Sequence, residues 1–240
     1  MLALFRRIRR SLIEEGRLRK YLVYAFGEIV LIVLGILIAL QINNWNVSNG
    51  QIKLEREILT ELRENLQGDM ELLGLAINGN QQHIKATSNV LRFLQKDIPY
   101  DDSLEVHFGN LIGTGFFTEY RTAYENLESV GVKIIRNAAL RQQITSLYSS
   151  RYKYVDDLEK EFDVPWVVQH LYPAVMQDVN TIQMWSKAKP RNVNVIQENY
   201  LLQETLKMSK FNREVMLNVY EELLGEVKSL MQGIETELNS

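Results

Sequence analysis

The sequence contains no cysteine, only four prolines and only three histidines among its 240 residues. Without cysteine, a disulfide framework, a thiolate metal site and a cysteine nucleophile are excluded. His83, His107 and His170 are far apart, and none has a second histidine or a carboxylate at the spacing of a helical zinc site. The sequence therefore predicts neither a metal nor a cofactor, and we interpret the histidines as structural.

Motifs of familiar enzyme classes are also missing. The glycine-containing stretch GNLIGTG, from Gly109 to Gly115, lacks the lysine and hydroxyl residue of a phosphate-binding loop, and no serine lies in a nucleophile elbow. The charged run from Asp156 to Glu161 is typical of a solvated helix face. We therefore expect no catalytic residues and a protein that is not an enzyme.

Charge is distributed unevenly along the chain. The first twenty residues carry seven basic and two acidic side chains, a net charge of +5, whereas the chain after Leu40 carries 20 basic and 27 acidic residues, a net charge of −7. The acidic remainder argues against a nucleic-acid partner. The basic residues of the head are Arg6, Arg7, Arg9, Arg10, Arg17, Arg19 and Lys20.

An apolar run of about twenty residues follows the head, from Tyr21 to Leu40. At ~1.5 Å per residue such a helix spans the ~30 Å hydrocarbon layer, so we predict a transmembrane helix over residues 21–42. A buried core helix is an alternative, but it is rarely apolar on every face and flanked by so many basic residues. A cleavable signal peptide is a weaker alternative, because QINNWN follows where small cleavage-site residues are expected.

The basic head predicts the orientation of this span. Basic residues resist translocation, so residues 1–20 are expected to form an amphipathic cytoplasmic head at the membrane surface, and the rest of the chain to be periplasmic. Trp45 is expected at the opposite interface, where an amphipathic ring meets water. A merely basic leader without helical order is the alternative for the head.

One face of the predicted span carries both an acidic residue and small residues. At about 100° per residue, the residues within about 40° of one line are Glu28, Ile32, Gly35, Ala39 and Ile42. Small residues four apart let two helices approach closely, and a contact there would shelter the carboxyl group of Glu28. The alternatives are chance spacing and a glutamate that extends toward the headgroups beside Lys20.

Two stretches resemble a known family. The first is GEIVLIVLGILIALQINNWN, from Gly27 to Asn46, and the second is AYENLESVGVKIIRNAALRQQITSLY, from Ala123 to Tyr148. They are similar to an uncharacterised family of bacterial membrane proteins of the Bacteroidota type, a domain of unknown function. At Val130-Gly131-Val132 the chain departs from the turn that this family usually has. The resemblance implies a single-pass helical protein of the bacterial inner membrane and no established activity.

Residues 47–240 read as a helical domain. Apolar residues recur at three- and four-residue steps in three long segments, and a shorter helix is expected over residues 103–129, with an interruption at GNLIGTG. Asn137 is an expected N-cap, Pro165 and Pro173 are expected to kink or end the third helix, and residues 186–194 are expected to form a loop. The predicted core faces are Leu59, Leu62, Leu66, Met70, Leu73 and Ile77, then Leu140, Ile144, Leu147, Tyr154, Leu158 and Phe162, and finally Met216, Val219, Leu223, Val227, Leu230 and Ile234.

The predicted fold class is all-α: one N-terminal transmembrane helix followed by an extracytoplasmic bundle of about four helices. A short extended piece at Val132 to Ile135 is the one candidate strand. We expect a scaffold or accessory subunit whose partners are the lipid bilayer and other membrane protein subunits or a second copy of itself. A sensor with a ligand-binding bundle is the main alternative, and an envelope hydrolase is a third.

Overall fold

The computed structural model describes residues 18–113 and 115–239. The predicted head and its residues Arg6, Arg7, Arg9, Arg10 and Arg17 therefore lie outside the described residues. Arg19 and Lys20 belong to the first helix, but only their backbone is described.

The described chain is mostly helical, as predicted, with one small antiparallel sheet. The α-helices are α1 (Leu18–Leu94), α2 (Leu104–Gly109), α3 (Thr122–Val130), α4 (Ala138–Ser146), α5 (Tyr152–Asp157), α6 (Val164–Trp166), α7 (Tyr172–Asp178), α8 (Val193–Gln197) and α9 (Tyr200–Leu238). A 3-10 turn covers Val132–Ile134, and π-helical segments cover Leu147–Arg151, Leu158–Asp163 and Val167–Leu171. The strands are β1 (Val179–Gln183) and β2 (Lys187–Pro190).

The chain divides into two compact units, Met1–Leu54 and Glu55–Ser240. In the first unit, the described part of α1 exposes its apolar side chains on every side from Leu22 to Val47. A soluble protein does not leave so long an apolar stretch in water. By length and composition this helix is long and apolar enough to cross a membrane.

In the second unit, α1 and α9 run antiparallel, since Arg56 contacts Leu238 while His83 contacts Ser209. Each helix buries residues at alternating steps of three and four, the spacing of a heptad seam. On α1 the seam is Glu55, Leu59, Leu62, Leu66, Asp69, Leu73, Ala76, Asn80, His83, Thr87, Val90 and Leu94. On α9 it is Leu202, Leu206, Ser209, Arg213, Met216, Tyr220, Leu223, Val227, Leu230 and Ile234.

The third helical stretch, residues 138–178, departs from the prediction. Asn137 caps it as expected, accepting hydrogen bonds from the backbone N–H of Ala139 and Leu140. The prediction that Tyr154 and Phe162 belong to the core is wrong, because both are exposed. The π-helical segments lengthen the repeat, so the buried face moves mainly in four-residue steps, with one step of three, through Tyr148, Tyr152, Val155, Glu159, Asp163, Val167 and Leu171.

The two prolines do not end this helical stretch. Pro165 and Pro173 each lie in the first turn of an α-helical piece that follows a π-helical segment. Proline has no N–H to donate to the preceding turn, and each proline lies where π-helical pairing gives way to α-helical pairing, an irregular point at which one missing backbone hydrogen bond is tolerated. Helical structure therefore continues to Asp178.

The sheet corrects the all-α prediction. Residues 187–190, expected to be a loop, form β2 and pair with β1, while Val132–Ile134, the candidate extended piece, is a 3-10 turn. The hairpin packs against α2, where Gly109 permits a close approach: a Cβ atom on Gly109 would lie 2.4 Å from the nitrogen of Lys187. One apolar core joins this hairpin to the end of α1, because Val179 and Ala188 are buried together with Phe93 and Phe108.

Candidate functional site

The face predicted from the apolar run lies open in the first unit. Glu28, Ile32, Gly35, Ala39 and Ile42 are all exposed on α1, and the helical backbone places them along one side. A Cβ atom added to Gly35 would meet no other atom within 4 Å. No described residue covers this side, as is required of a surface for helix association. Trp45 is also exposed on α1.

The second unit contains a group of buried polar residues that the sequence analysis missed. They lie at seam positions of α1 and α9, where a heptad normally has apolar side chains, and on the buried face of residues 138–178. We call them the polar seam: Asp69, Asn80, His83, Glu159, Asp163, Ser209, Arg213 and Tyr220. A charge buried without a partner is costly, so the pairing of these groups decides what they can do.

An ion pair forms the middle of the polar seam. The guanidinium of Arg213 on α9 donates to the Asp163 carboxylate, and both side chains are 1% exposed. Arg213 also donates to the amide oxygen of Asn80 on α1 at 3.4 Å, while Asn80 donates to the carbonyl oxygen of Ala76 at 2.9 Å. The pair thus connects three helical stretches through one buried charge cluster.

Asp69 holds an irregular segment against α1. Its carboxylate accepts hydrogen bonds from the Tyr152 hydroxyl at 2.6 Å and from the backbone N–H of Tyr120 at 2.7 Å. Burial raises the pKa of Asp69 to about 6, and the nearby Glu119 carboxylate raises it further. The two hydrogen bonds lower the pKa but do not offset the effect of burial. The group therefore titrates close to neutral pH.

Glu159 holds the other end of the same segment. It accepts hydrogen bonds from the backbone N–H of Phe117 at 3.0 Å and from the Tyr220 hydroxyl, which also contacts the carbonyl oxygen of Gly115 at 3.1 Å. Burial raises the pKa of Glu159. Residues 115–121 are thereby fixed between helices by two buried carboxylates.

His83 lies on α1 one step beyond Asn80, with a ring nitrogen 3.2 Å from the hydroxyl of Ser209. Burial, with the positive charge of Arg213 as a second cause, lowers its pKa to about 3. His83 is therefore neutral near pH 7, and its contacts are those of a histidine that takes part in packing.

The polar seam is buried rather than open, and its groups are paired except at three atoms: within the described residues, His83 Nδ1, Asp163 Oδ2 and Arg213 Nε have no hydrogen-bond partner. Each of its carboxylates is buried and bound by a tyrosine, a backbone amide or an arginine of the same chain. Across residues 18–113 and 115–239, no group of three or more histidine, aspartate and glutamate side chains is placed to hold a metal ion. The arrangement links α1, α9 and residues 138–178 through buried hydrogen bonds and one ion pair.

A group of tyrosines packs inside the second unit. The rings of Tyr124 and Tyr148 stack with centroids 4.5 Å apart, and Tyr152 contacts Tyr148 edge-on at 5.1 Å. Phe116 and Tyr120 are about half exposed. Core packing and a docking patch are the alternatives for these rings, and the buried stack favours packing for the first three.

The protein thus has a helical domain with buried polar residues in its interior and an N-terminal helix that is long and apolar enough to cross a membrane. The chain belongs to a family of unknown function, DUF6090, whose family model matches residues 28–163, more than half of its length. No curated protein and no solved structure shows significant similarity to it. The matched range includes Asp69, His83 and Asp163, whereas their partner helix α9 follows it.

Proposed function

We propose that this protein is a non-enzymatic, single-pass scaffold or accessory subunit of a bacterial inner membrane. Residues 21–42 span the bilayer, the basic head stays in the cytoplasm, and the helical domain is periplasmic. The span associates with a second copy or with a larger membrane complex through Glu28, Ile32, Gly35, Ala39 and Ile42. The observation that carries the proposal is the open small-residue face of α1 between Glu28 and Ile42, a stretch in which the large apolar side chains are exposed.

The state of the polar seam also supports a role without catalysis. Convergent carboxylates in an accessible pocket would favour an envelope hydrolase. Asp69, Glu159 and Asp163 are instead buried and bound to groups of the same chain. They are therefore explained by the packing of the domain.

The sensor alternative has one observation in its favour. The helix that carries the apolar stretch, α1, also carries Asp69 and His83, whose pKa values are shifted in opposite directions. A signal generated in the domain would then begin on the helix that enters the membrane. The scaffold remains our proposal, because the carboxylates of the polar seam are buried and bound by tyrosine, backbone amide and arginine groups that pack the domain.

Replacing Gly35 by leucine tests the proposed association face. A leucine side chain holds two helix backbones apart, so we expect Gly35→Leu to weaken self-association or partner association by roughly tenfold. Glu28→Gln should weaken it less, because an amide can still hydrogen-bond. Crosslinking of the full-length protein in native membranes, with quantification of the crosslinked fraction, measures both effects.

Gly27→Leu is the matched control for this experiment. Gly27 is equally unobstructed but lies about 80° around the helix from Gly35. Association should therefore be retained in Gly27→Leu. If Gly35→Leu leaves all crosslinks intact, the face is exposed to lipid and the proposed interface is wrong.

The orientation has its own test. The head carries +5 and the chain after Leu40 carries −7, so the positive end should remain cytoplasmic. Protease added to intact spheroplasts should degrade the domain after Trp45 and leave a short membrane-protected fragment. Survival of the domain until the membrane is ruptured would reverse the assigned orientation.

A further inference from the structure

The turn of the β1–β2 hairpin exposes three apolar side chains within four residues. Ile182 is 49% exposed, Met184 54% and Trp185 63%. These residues contribute nothing to the apolar core of the second unit, which the hairpin reaches through Val179 and Ala188. A tryptophan, a methionine and an isoleucine together on one turn form an exposed apolar patch, which indicates an interaction site. We call these three residues the hairpin tip.

The chain around the hairpin tip has a charge opposite to that of the domain. Residues 179–197 contain Lys187, Lys189 and Arg191 and no acidic residue, although the chain after Leu40 carries −7 overall. Along β2, exposed Lys187 and Lys189 alternate with buried Ala188 and Pro190. The two lysines therefore lie on the same outward face of the strand.

The hairpin is held firmly by α2. Its backbone lies against Gly109, and Lys187 forms an ion pair with Glu105 of α2 at 2.8 Å. The backbone N–H of Arg191 donates to the carbonyl oxygen of Asp178 at 2.8 Å and closes the base of the hairpin. The apolar turn is thus presented on a fixed support, so little conformational freedom is lost when it binds.

We propose that the hairpin tip binds the surface of an anionic lipid bilayer. Tryptophan prefers the headgroup layer, methionine and isoleucine can enter the acyl boundary, and lysine and arginine are attracted to anionic headgroups. Charge complementarity selects this partner, because Lys189 and Arg191, which have no ion-pair partner within the described residues, stand beside the apolar turn of an otherwise acidic domain. The proposal concerns the second unit alone and is independent of how the apolar helix associates.

The absence of cysteine makes a site-specific test direct. The full-length variant Met184→Cys is labelled with the environment-sensitive dye NBD. It is then reconstituted in nanodiscs of zwitterionic phosphatidylcholine. Protein-free vesicles with or without phosphatidylglycerol are then added, and a second arm places phosphatidylglycerol in the nanodisc itself. We expect a blue shift and a severalfold rise in NBD fluorescence with anionic lipid in at least one arm. The same label at exposed Ser150, outside the hairpin, is the control and should not respond.

Charge and apolar variants test which side chains bind the lipid surface. The double variant Lys189→Gln, Arg191→Gln removes two surface charges beside the hairpin tip, so its affinity for anionic vesicles should fall roughly thirtyfold. The matched control removes two charges on α9, in Lys207→Gln, Lys210→Gln, and should bind normally. Trp185→Ser removes the exposed ring and should abolish the NBD response to anionic lipid.

Three outcomes would overturn the proposal: no response in either arm, an equal response with zwitterionic lipid, or a response only when another protein is added. Failure of the chain to remain in the nanodiscs would instead refute the proposed membrane span. The vesicle titration could then be carried out on the free full-length chain.

Discussion

Replacing Arg213 by methionine is expected to lower the free energy of unfolding of the second unit by about 3–5 kcal/mol. Arg213 and Asp163 are each 1% exposed, so the variant leaves the Asp163 carboxylate buried without its cation. The loss can be measured by urea unfolding of the full-length protein, followed by circular dichroism at 222 nm. It is the largest effect that we expect from any single substitution in the polar seam.

The double variant Asp163→Leu, Arg213→Met tests the cause of this loss. Removing both charges removes the unpaired group, so the double variant should recover most of the stability. Within the described residues, Asp163 Oδ2 and Arg213 Nε have no hydrogen-bond partner, so little further bonding is lost with the pair. Failure to recover would mean that the shape of the arginine stem, rather than its charge, fills this position.

Arg151→Met is the matched control. Arg151 forms ion pairs with Glu222 and Glu226 at the surface of α9, where solvent screens the interaction. The same chemical change should therefore cost less than about 1 kcal/mol there. Equal losses in the two variants would contradict the special role of the buried pair.

Two groups in the polar seam are expected to make stability respond to pH in opposite directions. The pKa of Asp69 is raised to about 6, so its stabilising contribution is complete below its ordinary pKa of 3.8 and is lost as pH rises through 6. The pKa of His83 is lowered to about 3, so its contribution is complete above 6.5 and is lost as pH falls toward 3. Between about pH 4 and 6 the two effects oppose one another.

Single variants should expose each slope. In Asp69→Asn the effect of His83 is unopposed, and the free energy of unfolding should fall by about 3 kcal/mol between pH 6.5 and 4, more steeply than in the wild type. In His83→Gln the effect of Asp69 is unopposed, so the free energy of unfolding should fall as pH rises through 6. The raised pKa of Glu159 acts in the same direction. The charged neighbours that act on these groups are Glu119 for Asp69 and Arg213 for His83.

Urea unfolding at intervals across pH 4–7, in buffers of constant ionic strength, measures these slopes. Glu64→Gln, which changes an exposed carboxyl group on the same helix, is the control and should follow the wild-type profile. Parallel profiles for Asp69→Asn, His83→Gln and wild type would show that neither buried group titrates in this range.

The sequence was informative where side-chain chemistry and helical period agree. The apolar run, the N-cap at Asn137 and the core residues Leu59, Leu62 and Leu66 could all be identified from local pattern. The polar seam could have been found as well: the three- and four-residue steps continue through Asp69, Asn80 and His83 without a break. These positions were missed because polar residues are usually exposed, although here they keep the register of the buried face.

Other features could not be predicted because they depend on distant contacts. The π-helical segments that move Tyr154 and Phe162 out of the core have no local signature in residues 147–163. The β2 strand, with the sequence KAKP, lacks the β-branched and aromatic residues of a typical strand and forms because α2 supports it through Glu105 and Gly109. The contacts of Asp69 with Tyr152 and of Glu159 with Tyr220 likewise depend on packing between segments more than 60 residues apart.

The pairing of α1 with α9 also sets the order in which the protein can fold during synthesis. His83 and Ser209 are separated by 126 residues, so the ribosome needs roughly 6–25 s to make the partner after His83 has been added. Throughout that interval the seam of α1, including the carboxylate of Asp69, has nothing from α9 to pack against. The nascent domain is therefore exposed to chaperones and proteases until α9 emerges, and chains truncated before Arg213 should be cleared rather than accumulate.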